Sequence, residues 1–166
     1  MPFTPFHLGP SLLVGLLVFP LLYLPAFLIG SIIVDVEPLG FLILGLPVQH
    51  LFFHTFIGAT ISAVVLSLIL LPFRGVLESL MVKIHLPQTT TPIQLTGATL
   101  LGAYSHVVLD AFLYPEMQPF WPLLGNPFLG LVTSSVVYLF CSVCFICSII
   151  VFVFQVWRIN RTERNG

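Results

Sequence analysis

Apolar residues run in long stretches along this chain, separated by short polar breaks. The first stretch covers 8–30 and is interrupted by Pro20 and Pro25. The next, 31–46, is shorter and carries Asp35 and Glu37. Stretches 51–72, 95–114 and 128–157 follow. A helix needs about 20 apolar residues to cross a bilayer, so the pattern predicts about four to five membrane segments. The last stretch would be about 45 Å long as a helix and must tilt or project beyond the hydrocarbon. Between 73 and 86, Phe73, Val76, Leu77, Leu80, Met81 and Ile84 recur at helical spacing among Arg74, Glu78 and Lys83. That pattern predicts a short helix lying in the membrane interface. A β-barrel would alternate over segments of about ten residues, and these runs do not alternate.

Composition narrows the class further. Of 166 residues, 58% are hydrophobic and 7% are charged, and mean hydropathy is +1.11. A soluble domain carries about a quarter of its residues as Asp, Glu, Lys or Arg. A soluble, disordered or collagen-like chain is therefore excluded. The expected fold is an all-α polytopic helical membrane protein, one embedded domain over 1–166 with a polar cluster between helices. Five scattered basic residues make no phosphate-binding stripe, so no nucleic-acid partner is expected.

The placement of charge orients the chain. Arg74 and Lys83 form one basic group; Arg158, Arg161 and Arg164 form the other. Basic loops mark the cytoplasmic side, so 73–92 and the C-terminal tail are expected in the cytoplasm of a multi-pass cell-membrane protein. If 8–30 and 31–46 each cross, the N-terminus is outside, and this option is preferred. If 31–46 is re-entrant, the N-terminus is inside. The first run lacks a basic n-region and is broken by prolines, so it reads as part of the mature fold.

The ionisable residues within or bordering the apolar stretches are His7, Asp35, Glu37, His50, His54, His106 and Asp110. Such groups are costly in lipid and need partners, yet no Lys or Arg lies near them in sequence. His50 and His54 are four apart, on one helical face; His106 and Asp110 repeat that spacing on another helix. Glu37 precedes Pro38, so 35–38 reads as a helix break facing a protein-lined cavity. Asp35, Glu37 and Asp110 carry three negative charges if ionised. Two divalent cations and a bridging hydroxide would neutralise them. Mixed His and carboxylate donors suit zinc first, with manganese or iron as alternatives. Protonated carboxyls hydrogen-bonded to neutral histidines would need no metal, and a proton or cation pathway would use the same residues.

The pieces Thr4-Pro5-Phe6-His7, Asp35-Val36-Glu37-Pro38, His50-x3-His54-Thr55 and Ser105-His106-x3-Asp110 resemble the LexA-regulated family of membrane-bound, metal-dependent hydrolases of the bacterial inner membrane. The resemblance covers most of 1–115. It implies that His7, Asp35, Glu37, His50, His54, His106 and Asp110 are ligands or near-ligands of one to three metal ions. It also implies distant similarity to zinc phospholipases C and P1-type nucleases, which are helical enzymes. Leu51 departs from the family pattern, where many members carry Arg that could contact an anionic substrate. The expected chemistry is hydrolysis by metal-activated water, with Glu37 as general base. The expected partners are membrane lipid and a lipid or lipid-linked substrate near the outer face. A metal or proton transporter is the alternative function, and a purely structural polar cluster is the third.

The remaining signals are weaker. The 115–122 segment, with Trp121 beside Tyr114, suits an interfacial belt ahead of a lid in which Glu116 is an extra ligand. Cys141, Cys144 and Cys147 lack the fourth cysteine of an iron–sulfur run and read as packing residues. The chain has no H-E-x-x-H or G-x-S-x-G motif. Small residues at Gly58 and Ser62, and at Ala98 and Gly102, are spaced for close helix contact.

Overall fold

A computed structural model describes residues 5–165; the side chains of Pro5, His7 and 163–165 are outside the described set. All the regular structure described is helical. The helices are α1 (Pro5–Leu17), α2 (Leu24–Ile33), α3 (Val36–Ile43), α4 (Phe56–Leu70), α5 (Arg74–Lys83), α6 (Pro92–Ala111) and α7 (Ser134–Asn165).

Among the described residues, two helices are long and apolar enough to cross a membrane: Phe56–Lys83 and Ser134–Thr162. The α2–α3 pair, bent by 45°, makes a third if it counts as one span. Two to three candidate spans therefore stand where the apolar runs predict four to five. The first run divides because the chain leaves α1 at Leu17 and turns through Pro20 before Pro25 starts α2. The α6 helix has 20 residues but is not among the candidate spans, since it carries Gln94, Thr96, Thr99, His106 and Asp110. Residues 74–83 form α5, within the 73–86 stretch expected to be helical. They continue α4 through one 3-10 turn at Leu71–Phe73, where Pro72 occupies a starting position that needs no N–H partner.

Local chemistry explains the helix ends. Thr91 and Gln94 form a reciprocal capping box at the start of α6, with Pro92 at its first position. At α2, the cap comes from far along the chain. The buried Gln88 accepts a hydrogen bond from the Leu24 N–H at 3.0 Å and donates to the Pro20 and Leu22 carbonyls. The α3 helix ends in a Schellman turn: Gly45 has φ +68°, Leu46 N–H reaches the Phe41 carbonyl, and Gly45 N–H reaches Leu42. This turn sends the chain back over the helices towards α4.

The central helix is α6, which packs on α2 and α4, while α7 packs on α1. Phe27, Leu66, Leu70 and Leu95 fill one end of the three-helix core; Val34, Ala59, Ala63, Ala103 and Val107 fill the other. Between helices in lipid, association depends on close fit more than on water exclusion. Gly30 and Gly102 provide that fit, since a methyl at Gly30 would collide with the Thr99 backbone and one at Gly102 with the Phe27 carbonyl. Gly58 has a different role from the expected helix contact: it abuts the Phe52 carbonyl in its own connecting loop. On α7, Gly9 of α1 meets the Cys141 carbonyl, and Cys141 and Cys144 are buried, in line with a packing role. Leu139, Ile146, Ile150 and Val153 stay exposed on α7, as a lipid-facing surface requires.

Substituting Gly102→Ala is expected to destabilise the protein by about 1–3 kcal/mol through overpacking. Gly97→Ala, at a site open for 4 Å around, should be neutral or stabilising by up to about 1 kcal/mol. Unfolding of both variants in detergent checks this pair; equal effects would refute the assigned contact.

Candidate metal centre

Four side chains from three parts of the chain converge where α2, α4 and α6 meet. Asp35 occupies the two-residue break between α2 and α3. The break falls one turn earlier than Pro38 implies. Pro38 sits in the first turn of α3, where its missing N–H costs nothing, and Glu37 beside it is helical. Asp35 makes no side-chain cap to α3, and its carboxylate faces the histidines. His50 and His54 do not share a helical face as their spacing predicts: both lie in the loop before α4, whose cap is Thr55 and whose first residue is Phe56. His106 and Asp110 lie one turn apart on the buried face of α6.

The donor atoms form a closed ring. His106 Nε2 lies 3.0 Å from Asp110 Oδ2 and 3.2 Å from Asp35 Oδ1. His54 Nε2 lies 3.6 Å from each of the same two oxygens. One donor atom from each residue lies within 4.8 Å of all the others. Zinc bonded at about 2.0–2.2 Å in a tetrahedron holds its donors about 3.3–3.6 Å apart. His54, His106 and Asp110 are buried, and Asp35 is partly so. These residues could hold a metal ion.

The outer hydrogen bonds set which face of each ring points inward. His106 Nδ1 lies 2.6 Å from the Ser31 carbonyl. His54 Nδ1 lies 3.2 Å from Glu37 Oε2. Carbonyl and carboxylate oxygens only accept, so each Nδ1 carries the proton and donates it. The Nε2 lone pairs of the neutral rings then point at carboxylate oxygens. Such an arrangement is repulsive unless a proton or a cation sits between them. For His54 the separations are too long for hydrogen bonds, and its buried Nε2 has no hydrogen-bond partner. A proton on His106 Nε2 fits its 3.0 and 3.2 Å separations, and a metal ion fits the 3.6 Å separations at His54.

Glu37 is placed outside the ring. Its oxygens accept from His54 Nδ1, from Leu51 N–H at 2.8 Å and from Phe53 N–H at 3.3 Å. It therefore orients His54 and pins the loop, as a carboxylate behind a metal-binding histidine does. Thr55 completes the loop: its hydroxyl donates to the Phe52 carbonyl and accepts from Gly58 N–H at the start of α4. Gly58 is what allows that close approach.

His50 stands beside the ring. Its Nε2 is 4.0 Å from Asp110 Oδ2, its Nδ1 is 3.2 Å from Glu116 Oε1, and Tyr114 stacks on it at 3.6 Å. Burial holds its pKa below the ordinary histidine value, against the opposing pull of Asp110 and Glu116. The His7 side chain is outside the described residues. His85 lies on an exposed turn after α5, away from the ring.

The Ser31 carbonyl, which any residue would supply, carried no sequence signal; the return of 115–128 onto the site matches the lid arrangement that ranked behind an interfacial belt. That segment is tied down by Phe56 N–H on the Pro119 carbonyl, by buried Met117, and by Asn126 donating to the Ala111 carbonyl. It brings Glu116 to His50 while Trp121 stays exposed. A pocket of about 340 Å³ opens there, lined in part by His50, Leu51, Phe52, Glu116 and Trp121.

No family model, curated protein or solved structure matches this chain.

Elemental analysis of gently extracted protein should find bound divalent metal, and His106→Ala should lose it. Glu37→Gln should keep the metal but weaken its affinity by about 10–100-fold. Because protons compete for the histidines, affinity should fall as pH falls. Protein free of metal at every pH would refute the site.

Proposed function

We propose that this chain is a multi-pass membrane hydrolase that uses one zinc-class divalent ion held by Asp35, His54, His106 and Asp110. The observation that carries the reading is the pair of rings with tied Nδ1 atoms and converging Nε2 atoms, set beside an open pocket. The motif resemblance supports the same reading. When bound, such an ion supplies Lewis acidity: it acidifies water and polarises an ester oxygen.

The protein's own groups do the rest. Asp35 and Asp110 hold the ion and offset its charge. Glu37 and the Ser31 carbonyl keep His54 and His106 aimed inward. Asp35, whose side chain is 19% exposed, is the most open member of the ring, and the buried His50 stands beside Asp110. His50 is the proton acceptor in this reading. Its Nδ1 proton is held by Glu116, which leaves Nε2 towards the reacting water. Glu37, with its oxygens engaged by three donors, orients rather than accepts.

Membrane placement follows from charge. His54 precedes one end of the Phe56–Lys83 helix, and Arg74 and Lys83 lie at the other. Arg158 and Arg161 lie at the C-terminal end of α7. Basic ends face the cytoplasm, so the site faces outward, the C-terminus is cytoplasmic, and a lipid or lipid-linked ester reaches it from the outer leaflet. A transport path gains less support. Beyond the ring, the core is Ala59, Ala63, Ala103 and Val107, followed by a mutually hydrogen-bonded Ser67–Thr99 pair.

Zinc-loaded protein in micelles should hydrolyse an ester, and chelation should abolish this. Asp110→Asn should fold but lose metal and activity. His50→Ala should retain metal and lose about 10²–10⁴ in kcat. Full activity in His50→Ala would refute His50 as the proton acceptor, and activity that survives chelation would mean a purely structural ion.

A further inference from the structure

We infer, resting on the hydrolase reading above, that the substrate is an uncharged carboxylic ester with an apolar chain rather than a phosphoester, and that Glu116 sets this preference. The pocket beside the ring has an apolar mouth, with Leu51, Phe52 and Trp121 each about two-fifths exposed. Its reactive side is formed by His50 and Glu116. No Lys or Arg lines it. The five basic residues lie at 74–83 and 158–164, at the opposite helix ends.

Charge decides between substrate classes. Asp35 and Asp110 neutralise one divalent ion. Glu37 and Glu116 then leave the site net negative, with no cation among the residues around it. Sites that process phosphoryl groups surround the phosphate oxygens with an excess of positive charge, from Arg, Lys or metal ions. This pocket places a carboxylate there instead, and position 51 is leucine. A phosphodiester would bring further negative charge into a poorly solvated wall. A neutral ester brings none, and its chain matches the apolar mouth.

The reaction balances with water alone. The water oxygen bonds to the acyl carbon and its proton passes to His50. The bond from acyl carbon to alcohol oxygen breaks, and that oxygen takes the proton. The products are an alcohol and a carboxylic acid, which ionises. Glu116 then repels the carboxylate product and favours its departure.

The test uses full-length zinc-loaded protein in neutral detergent, carrying Trp157→Phe so that Trp121 is the sole tryptophan. Trp121 fluorescence is quenched with iodide, an anion, and with acrylamide, which is neutral. Iodide should quench at least threefold less effectively than acrylamide. Glu116→Gln should raise iodide quenching at least twofold and leave acrylamide quenching unchanged. In parallel, p-nitrophenyl butyrate and bis-p-nitrophenyl phosphate are compared as substrates, each against its blank. Turnover of the butyrate alone supports the inference. Turnover of the phosphodiester, or iodide quenching that Glu116→Gln does not move, overturns it while leaving the hydrolase reading intact. Turnover of neither with zinc bound overturns both readings.

Discussion

Asp35 and Asp110 face each other across two imidazole nitrogens at separations of 3.0–3.6 Å. The two carboxylates and two nitrogens converge on the same small volume, in a region largely closed to water, and His106 hydrogen-bonds Asp110 across it. Positive charge at the middle is what makes the arrangement stable. Without it, the helix break, the loop before α4 and the inner face of α6 would repel one another. The meeting point of three helices therefore depends on one electrostatic condition, and apolar packing surrounds it.

The chain is built to hold that point still. Gly102 lets α6 approach α2 until the Ser31 carbonyl reaches His106. Gly58 lets the 50–55 loop fold onto α4, which places His54, and Glu37 ties that loop from the opposite side. Each inward-facing nitrogen is thus backed by an acceptor on its outer nitrogen. Second contacts of this kind fix ring orientation and raise donor basicity. The same framework leaves one flank open, where His50, Glu116 and the returning 115–128 segment form the wall of a pocket.

The membrane setting gives the charge distribution its meaning. A chain with five basic residues, all towards one end of its helices, has no side-chain cation to offer the buried acids. That scarcity favours an ion at the ring and disfavours an anionic guest beside it. One shortage thus bears on both the cofactor and the substrate class.

Sequence alone pointed to the helical membrane character, through composition and unbroken apolar runs, and it placed Asp35, His54, His106 and Asp110 among seven candidate residues by spacing and by the absence of counter-charges. It also located the helix break near Asp35, although Pro38 proved to start α3 rather than to end α2. The count of two to three candidate spans differs from the four to five apolar runs because Pro20 and Pro25 divide 8–30 between α1 and α2 and because polar residues interrupt α6. Only the tertiary structure separated ring members from supporting residues. Glu37 and Asp35 are both acidic and two apart, yet one faces the ring and the other the back of His54. Glu116 joins His50 across 66 residues of chain. Such choices depend on how helices pack around a common charge, and that information is spread over contacts between distant residues.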